Sequence, residues 1–376
     1  MSAIYKKLEE VCEILDSRRV PITAKNRKTG IYPYYGANGL QDYVAEYIFD
    51  DELVLLAEDG GNFGSKERPI AYRVSGKCWV NNHAHVLKAK PLVNADYLCY
   101  ALMFYDTEGL VNGATRQKLT QTAMRQMMIP YRNMTEQLQI ADEINQVIRL
   151  IDKRKEELSL LDQLVKSRFI ELFGDMYLNS LEWTEVSLES ISDIVSGITK
   201  GRKIKTAELR EVPYMAVSNV KNGYIDWTTV KTIEVTEQEL NQYRLLPDDV
   251  LMTEGGDPDK VGRGAIIREP LENCIHQNHI FRVRFNERDI LPVFFAEYLQ
   301  HQRAKRYFLG CAKQTTGIAS INMKQLRNLP VLMPPLELQR QFAAFVAQTD
   351  KSKLAVEKSL KHLEILKKSL MQQCFG

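Results

Sequence analysis

Histidine supplies the most versatile chemistry available to this chain, and it occurs in two clusters. His83 and His85 form an H-x-H pair, and Cys274, His276 and His279 form a C-x-H-x-x-H group. Zinc accepts both histidine nitrogen and cysteine sulfur as ligands, and a histidine beside an asparagine is found in one class of nucleases. Alternation along a β-strand would place His83 and His85 on one face, but it would equally bury one face in a core. The clusters therefore predict either a metal or nuclease site or structural histidines.

Other motifs for catalysis on DNA do not fit the sequence. A DNA amino-methyltransferase needs an Asn/Asp-Pro-Pro-Tyr/Phe loop to hold a flipped base, but Pro334-Pro335 lies in "MPPL". A phosphate-binding loop needs Gly-Lys-Ser/Thr, but the Gly76-Lys77 pair is followed by Cys78. No aspartate or glutamate has a lysine two residues later, as the common restriction nucleases require. We therefore predict no catalytic residue and disfavour a motor, a methylase and that nuclease class.

The chain contains a tandem duplication. "KSRFIELFG" ends at Gly174, and "KKSLMQQCFG" ends at Gly376, a shift of 202 residues that also aligns Gln137 with Gln339. Smaller shifts of 180 and 196 match the segments upstream, so insertions in loops distinguish the two copies. The sequence predicts a variable module followed by a helix, twice. A chain of 376 residues is also too long for one ordinary core.

The duplication separates the two interpretations of the histidines. A shift of 196 matches the Asn-His pair at 82–83 with the Asn-His pair at 278–279, whereas His85 and Cys274 have no counterpart. A metal site would be expected to keep its ligands in both copies. We therefore favour structural histidines and predict no metal site.

Each module carries one basic stretch and one polar, flexible stretch. The basic stretch suits neutralisation of phosphates on a nucleic-acid backbone, and the polar stretch holds side-chain types that read base edges in the major groove. A solvated loop has the same composition, so this alternative stays open. The candidate DNA contacts are, in the first module, Arg18, Arg19, Lys25, Arg27, Lys28, Arg116, Gln117 and Lys118, and, in the second, Lys200, Arg202, Lys203, Lys205, Lys260, Arg263, Lys313, Gln314 and Thr315.

Heptad spacing predicts two long helices. Positions 140–172, taken at alternating steps of four and three, are apolar at eight of ten sites, and the matching positions 342–374 are apolar at seven of ten, as in an a/d seam. Each helix starts after a breaker and ends at a glycine, the residue favoured just past a helix C-terminus. The seams fit either the module cores or one another. We favour pairing, and the chain path then makes the helices antiparallel.

Composition limits the class of protein. Hydrophobic content of 44% and charged content of 26% are ordinary for a globular protein. No apolar run approaches the ~20 residues that span a bilayer, and the N-terminus lacks a secretory pattern. The six cysteines lie far apart without a C-x-x-C pair, which is typical of reduced thiols in a cytoplasm. The formal net charge is +2, so a nucleic-acid surface would be a local patch.

Several segments together resemble the specificity subunit of a type I restriction–modification system. "YPYYGANGLQDYVAEYIFDDELVLLAEDGG" and "VNNHAHVL" look like its first target-recognition domain. "VPYMAVSNVKNGYIDW", "LLPDDVLMTEGGDPDKVGRGAII" and "CIHQNHIFRVR" look like the second. "PPLELQ" keeps the opening pattern of the family's spacer helices, whereas the first copy departs from it with "YRNMTEQ". The resemblance covers essentially the whole chain in the family's domain order.

This resemblance implies an α+β fold. Two similar mixed α/β target-recognition domains would be separated by two long antiparallel coiled-coil helices, giving a pseudo-twofold tandem repeat. We expect the first domain at 1–130, the central spacer helix at 131–174, the second domain at 175–330 and the C-terminal spacer helix at 331–376.

The resemblance also implies a non-catalytic reader of double-stranded DNA, each domain reading one half of a bipartite target. No cofactor is expected in this chain. Methylation subunits would dock on the helices and carry S-adenosylmethionine, and a motor-nuclease subunit would bind the methylase. Because the a/d positions face the other helix, we expect docking at Leu164, Phe169 and Ile170. The rival hypotheses are a His/Asn-type DNA nuclease and a coiled-coil scaffold that binds protein only.

Overall fold

The computed structural model describes residues 4–113, 115–203, 208–257, 261–286, 288–315 and 318–376. The chain divides into two compact units, Met1–Glu156 with Glu357–Gly376, and Glu157–Val356. Each unit holds one module of mixed helix and strand together with part of each long helix. The predicted α+β class, with two modules and two long helices, is confirmed.

The first unit is built on a six-stranded sheet. The described strands are β1 (Ile4–Lys7), β2 (Cys12–Ile14), β3 (Thr29–Gly36), β4 (Gly39–Val44), β5 (Phe49–Ala57), β6 (Ala71–Val80), β7 (Ala84–Ala89), β8 (Val111–Asn112), β9 (Lys118–Leu119) and β10 (Met128–Tyr131). The sheet order is β2-β7-β5-β6-β3-β4. Of the neighbouring strand pairs that the structure describes in this sheet, β3 and β6 are parallel and the others are antiparallel.

The central strand β5 supplies two cores because alternate side chains point to opposite faces of a sheet. Val54 and Leu56 pack with a cluster that includes Leu98 of helix α2 (Ala95–Met103). Leu53 and Leu55 pack on the other face. Asn94 is the N-cap of helix α2, and its side-chain oxygen accepts a hydrogen bond from the backbone N–H of Tyr97 in the first turn, as a good N-cap does. Two short helices complete the module, α1 (Leu8–Val11) and α3 (Gln121–Arg125).

The second unit repeats these elements with more insertions. Its described strands are β11 (Thr184–Ser187), β12 (Ser192–Ser196), β13 (Arg210–Met215), β14 (Lys231–Val235), β15 (Val250–Thr253), β16 (Gly255–Gly256), β17 (Gly264–Ile266), β18 (Ile275–His276), β19 (Ile280–Phe285), β20 (Lys313–Thr315), β21 (Ile318–Ser320) and β22 (Pro330–Met333). Its module helices are α5 (Glu237–Tyr243), α6 (Pro292–Tyr298), α7 (Gln302–Cys311) and α8 (Met323–Arg327).

The strand pairings of the two units correspond, which confirms the duplication at the level of topology. The order β12-β19-β15-β17 in the second unit matches β2-β7-β5-β6 in the first, and all these neighbours are antiparallel. Strand β13 pairs with β14 antiparallel and with β18 parallel, as β3 does with β4 and β6. The shift of 196 residues maps β7 onto β19 end to end.

Each module closes on itself through a short antiparallel strand pair. In the first unit β1 pairs with β10, from Ile4 opposite Tyr131 to Lys7 opposite Met128. In the second unit β11 pairs with β22, from Thr184 opposite Met333. The chain therefore enters and leaves each module at adjacent positions.

The long helices are α4 (Met134–Phe173) and α9 (Leu336–Phe375), of 40 residues each. Helix α4 begins after Asn133, whose side chain accepts from the N–H of Glu136 at 2.9 Å, and it stops before Gly174, whose φ of 73° suits glycine. Helix α9 begins after Pro334-Pro335, where a missing N–H costs nothing. Among the described residues, no helix is long and apolar enough to cross a membrane.

Within each unit, parts of the two long helices run antiparallel. In the first unit Arg132, just before α4, donates to the carbonyl of Cys374 near the end of α9 at 3.3 Å. In the second unit Phe169 near the end of α4 contacts Phe342 near the start of α9, with ring centroids 5.3 Å apart. All ten positions of each predicted seam are buried or half-buried. The heptad prediction is thus confirmed.

A buried glutamine joins each module to its helix in the same way. Gln137 donates to the carbonyl of Arg132 and accepts from the N–H of Asn94, both at 2.8 Å. Gln339 donates to the carbonyl of Pro334 and accepts from the N–H of Leu291, also at 2.8 Å. Both glutamines are fully buried. We call them the two latch glutamines.

Candidate nucleic-acid interface

A polar hairpin docks at the end of the central strand in both units. In the first unit the N–H of Glu58 donates to the carbonyl of His83 at 2.8 Å, and the N–H of Leu119 donates to the carbonyl of Glu58 at 2.8 Å. We call this surface, hairpin β8–β9 with residues 58–60 and 83, the first loop edge.

The second unit repeats this docking. The N–H of Glu254 donates to the carbonyl of His279 at 3.0 Å, and the N–H of Ile321 donates to the carbonyl of Glu254 at 2.8 Å. The second loop edge is hairpin β20–β21 with residues 254–256 and 279. The two polar stretches singled out in the sequence thus occupy equivalent places.

The first loop edge exposes cations that are anchored to acids. Arg116 Nε lies 2.6 Å from Asp59 Oδ1, and Lys118 Nζ lies 3.2 Å from Glu58 Oε1. More than half of each basic side chain is nevertheless exposed. Since a guanidinium has five N–H donors, Arg116 keeps donors for a phosphate or a base. Gln117 between them is exposed, and its carbonyl accepts from the N–H of Gly60 at 3.1 Å.

The basic stretch of the first unit is fixed to the sheet by its backbone. Trp79 Nε1 donates to the carbonyl of Val20 at 2.7 Å, and the hydroxyl of Tyr34 donates to the carbonyl of Ile22 at 3.2 Å. These bonds leave Lys25 and Lys28 exposed. Arg18 is also exposed, although it donates to the carbonyl of Ile48 at 3.2 Å.

Two arginines of this stretch are committed to the fold. Arg19 donates to Glu58 Oε2 at 2.6 Å and to the carbonyl of Ala84 at 2.7 Å, and only 13% of its side chain is exposed. The prediction that Arg19 contacts phosphate is therefore corrected, because its guanidinium is enclosed by protein acceptors. Arg27 lies over the ring of Tyr34 and 3.3 Å from Asp42, so it is only partly available.

In the second unit the basic stretch divides in the same manner. Lys200 and Lys203 are exposed. Arg202 donates to both oxygens of Glu239, at 2.5 and 2.6 Å, and this pairing lowers the pKa of Glu239 to about 2. With 18% of its side chain exposed, Arg202 is therefore only partly available to a phosphate, like Arg27.

The remaining candidate DNA contacts of the second unit differ in their exposure. Lys313 is exposed on β20. Arg263 is half-buried, and its Nε has no hydrogen-bond partner in the described part of the chain. Lys205 and Lys260, and the side chains of Gln314 and Thr315, lie outside the described residues.

A buried polar cluster links the basic stretch of the first unit to its hairpin. Asp16 Oδ2 lies 2.6 Å from His85 Nδ1, and His85 Nε2 lies 2.9 Å from the carbonyl oxygen of Leu119. Asp16 also accepts from the N–H of Val86 at 2.9 Å and from Gln121 Nε2 at 3.1 Å. Burial acts to raise the pKa of Asp16, but the hydrogen bonds from His85 and the N–H of Val86, together with the charges of His85 and Arg19, outweigh burial and leave the pKa below its usual value.

This cluster has metal-ligand atom types but closed geometry. Asp16, Glu58 and His85 offer ligand atoms within 4.8 Å of one another. Arg19 Nη1, however, lies 2.6 Å from Glu58 Oε2 and Nη2 lies 3.5 Å from Asp16 Oδ2, so a metal ion would have to displace a guanidinium. The arrangement favours a structural charge cluster over a metal centre.

The histidine group of the second unit is also structural. His276 is fully buried, its Nδ1 lies 3.0 Å from the carbonyl of Ile280, and burial lowers its pKa to about 3. Burial raises the pKa of the Cys274 thiol to about 12. His279 is exposed, and its Nδ1 lies 2.5 Å from Glu254 Oε2. In the part of the chain that the structure describes, Cys274, His276 and His279 do not gather as a set of metal ligands.

The predicted partner-docking residues lie on different sides of α4. Leu164 and Ile170 are about half exposed, at 48% and 52%. Phe169 is fully buried and stacks on Phe294 with ring centroids 5.4 Å apart. The prediction that Phe169 forms a docking surface is corrected, because the end of α4 buries a second stripe against its module.

Sequence reasoning missed the two latch glutamines and the role of Asp16. The glutamines carried a signal, because Gln137 and Gln339 align at the shift of 202 residues that relates the two helices. Asp16 carried none, since its partner His85 is 69 positions away in sequence.

Known proteins similar to this chain share one description. A family model described as "Type I restriction modification DNA specificity domain" matches residues 4–160 and 180–365. A type I restriction enzyme specificity subunit assigned in Haemophilus influenzae is 26% identical over 98% of this chain and 94% of its own length. The EcoKI specificity subunit of Escherichia coli is 21% identical over 86% of this chain and 74% of its own length.

A solved structure extends the similarity to the fold. The crystal structure of the S subunit of a type I restriction–modification system from M. genitalium matches with a TM-score of 0.59 and covers 100% of this chain and 96% of its own. The sequence identity is 16%, so this likeness establishes the fold alone.

Proposed function

Because this chain belongs to the family of type I restriction–modification DNA specificity domains, we propose that it is the subunit that reads the DNA target of such a system. The observation that carries the proposal is a loop edge built twice, each time as a polar hairpin held on the end of a central strand. Exposed Lys25 and Lys28 in one module, and Lys200 and Lys203 in the other, supply charge for phosphates.

The target is bipartite, with one half read by each module. The backbone that holds the two hairpins is the same, but the side chains on them differ: Arg116, Gln117 and Lys118 in one module, Lys313 in the other. Since side chains at base edges decide sequence preference, the two half-sites differ and the target is not a palindrome.

The chain acts without catalysis of its own and directs adenine methylation and restriction by partner subunits. Methylation subunits carrying S-adenosylmethionine dock on the long helices, where Leu164 and Ile170 present apolar side chains to solvent. A motor-nuclease subunit joins through the methylase.

The rival functions find no support in the geometry. A His/Asn nuclease would use the histidines of the two Asn-His pairs, His83 and His279, together with a metal. Each of them lies beside a single carboxylate, Asp59 or Glu254, and among the described residues neither belongs to a group of three possible metal ligands. A scaffold that binds protein only does not explain why two modules each present a polar hairpin and exposed lysines.

Mapping of methylated adenines in a genome that expresses the complete system tests the proposal. The expected result is one bipartite motif. Exchange of residues 180–330 for the module of another specificity subunit should change one half of that motif and leave the other half intact. A change in both halves would refute the division of reading between modules. Methylation that ignores sequence would refute the function itself.

A further inference from the structure

Strand β7 carries a buried histidine where the matching strand of the second unit carries a phenylalanine. The shift of 196 residues that aligns β7 with β19 places His85 opposite Phe281. Both side chains are buried, at 0% and 3% exposure. Phe281 belongs to the apolar cluster that holds Ala319 of the second hairpin and Ile321 just after it. The second hairpin is thus seated by apolar packing. The first hairpin also packs through the buried side chain of Leu119, and a charged cluster is added where the second unit has Phe281.

Both ring nitrogens of His85 face acceptors. A carbonyl oxygen has no proton to give, so Nε2, at 2.9 Å from the oxygen of Leu119, must donate. Nδ1 lies 2.6 Å from Asp16, whose carboxylate already accepts from the N–H of Val86 and the amide of Gln121. The pKa of Asp16 lies below its usual value, so its carboxylate is ionised and can only accept. Nδ1 then donates as well, which makes the ring an imidazolium.

The charges around His85 suit an imidazolium. Asp16 and Glu58 face Nδ1, at 2.6 and 3.6 Å. Arg19 lies beyond these two carboxylates, within 3.5 Å of both, and Lys118 lies 3.2 Å from Glu58. No other charged side chain among the described residues forms an ion pair with Asp16 or Glu58. His85 therefore sits at the centre of an alternating network of acids and bases.

The network joins the two segments that carry DNA-contact candidates. Asp16 opens the basic stretch that contains Lys25 and Lys28. Leu119 closes the hairpin that contains Gln117 and Lys118, and its N–H is held at 2.8 Å by Glu58. The N–H of Leu119 is bonded to the carbonyl of Glu58, and its own carbonyl oxygen is bonded to His85. The hairpin therefore cannot shift relative to the basic stretch without breaking a bond to a buried charge, which is costly.

We propose that His85 is a positioning residue for the first half-site, acting as a doubly protonated imidazolium that fixes the hairpin against the basic stretch. This inference rests on the proposed function. It adds that both hairpins pack through apolar side chains, and that the first is also fixed by a buried charge at the position that Phe281 occupies in the second module.

The protonation state is tested on the full chain without DNA. Nitrogen NMR of protein labelled with 15N in histidine should show two ring N–H groups for His85, slow to exchange with water. Asp16→Asn removes the carboxylate and should leave one. The signals are assigned by their loss in His85→Gln. A wild-type His85 with one ring N–H overturns the inference, and this result does not depend on whether the chain binds DNA.

The positioning role is tested by methylation mapping with His85→Gln in the complete system. A glutamine amide cannot donate to Asp16 and Leu119 from two separate nitrogens. Discrimination among bases in the first half-site should fall by about tenfold, the effect of losing one hydrogen bond to a charged group. The second half-site should keep its preference. Exposed His362 on α9 gives the matched control His362→Gln, which should change neither half.

The outcomes separate the two proposals. If methylation fell equally at both half-sites and the base preference of the first stayed the same, His85 would only stabilise the fold. That result would overturn the positioning role. Unchanged preference in His85→Gln would overturn it too. A wild-type map without any motif would instead refute the proposed function.

Discussion

Arg19 and Lys25 lie six residues apart in one basic stretch, yet their surroundings give them different tasks. The guanidinium of Arg19 is enclosed between Glu58 and the carbonyl of Ala84, whereas Lys25 is exposed. A buried ion pair that loses one partner leaves an uncompensated charge. An exposed lysine loses little stability when it is removed.

This contrast predicts opposite phenotypes. Replacing Lys25 and Lys28 by alanine should leave folding intact and reduce the slope of log affinity against log salt by about 0.9 for each lost phosphate contact. Arg19→Ala should instead lower the free energy of unfolding by about 3 kcal/mol, measured by urea titration. Lys351→Ala, an exposed lysine of α9, is the control and should change neither quantity. An unchanged salt slope would mean that Lys25 and Lys28 are solvated away from DNA.

His276 makes the stability of the second unit depend on pH. Its pKa in the folded chain is about 3 because burial disfavours the charged ring, against about 6.5 for a free histidine. The unfolded chain therefore binds more protons between these two pH values. The free energy of unfolding is then unaffected by protonation of His276 above pH 6.5 and falls as the pH is lowered below it.

The free energy of unfolding should fall by about 1.4 kcal/mol for each pH unit below 6.5. His276→Leu should flatten the dependence of the unfolding free energy on pH between 6.5 and 4.5 relative to the wild-type chain. His362→Gln should keep the wild-type dependence. Equal slopes in wild type and His276→Leu would show that the ring of His276 is charged in the folded state.

At the scale of the element, each long helix is attached to its module by a latch glutamine rather than by apolar packing alone. The side-chain amide satisfies a carbonyl just before the helix and an N–H at the start of a module helix, with the same 2.8 Å distances in both units. A leucine of similar size would leave both backbone groups buried without partners. Each such group costs about 1–3 kcal/mol.

The latch predicts a loss of stability in each unit separately. Gln137→Leu and Gln339→Leu should each lower the free energy of unfolding by about 2 kcal/mol or more. Gln139 and Gln341, two residues further along the same helices, are exposed, so Gln139→Leu and Gln341→Leu are matched controls with little effect. Hydrogen exchange at the N–H of Asn94 and Leu291 reports the break directly. Protection that persists in the latch variants would contradict this assignment.

The outer face of α4 makes a second prediction at this scale. Leu164→Glu and Ile170→Glu place charges on exposed positions, so the chain should fold and bind DNA but fail to bind the methylation subunit in size-exclusion chromatography. Phe169→Glu buries a charge among aromatic rings and should unfold the second unit. If both surface variants still bind the subunit, docking uses another face of the helices.

At the scale of the whole molecule, features encoded locally could be predicted and features made by distant contacts could not. The helices and the duplication follow from heptad spacing and repeated segments, which can be counted in the sequence. Arg19 and Arg202 looked like free cations because their partners Glu58 and Glu239 lie 39 and 37 residues away. Phe169 looked exposed because the heptad describes one seam, whereas the end of α4 also packs against a module.

The two modules should contribute independently to phosphate binding. Lys25 and Lys28 lie in one unit, and Lys200 and Lys203 lie in the other. Alanine at either pair should reduce the salt slope by about 1.8, and alanine at all four by about 3.6, since counterion release adds over contacts. Fluorescence anisotropy with target DNA across a salt series measures this. If the quadruple variant had the same salt slope as a double variant, only one module would contact the DNA backbone.

The strand pairs that close each module have a consequence for heredity. Because β1 pairs with β10 and β11 pairs with β22, the borders of a module are adjacent, and a foreign module has to match a pair of four-residue strands and the nearby helix contacts, the latch glutamine among them. Recombination between genes at these borders would exchange what is read while the long helices stay unaltered. Under the proposed function, a lineage would thus acquire a new target in a single genetic event, without any accompanying change in the partner enzymes.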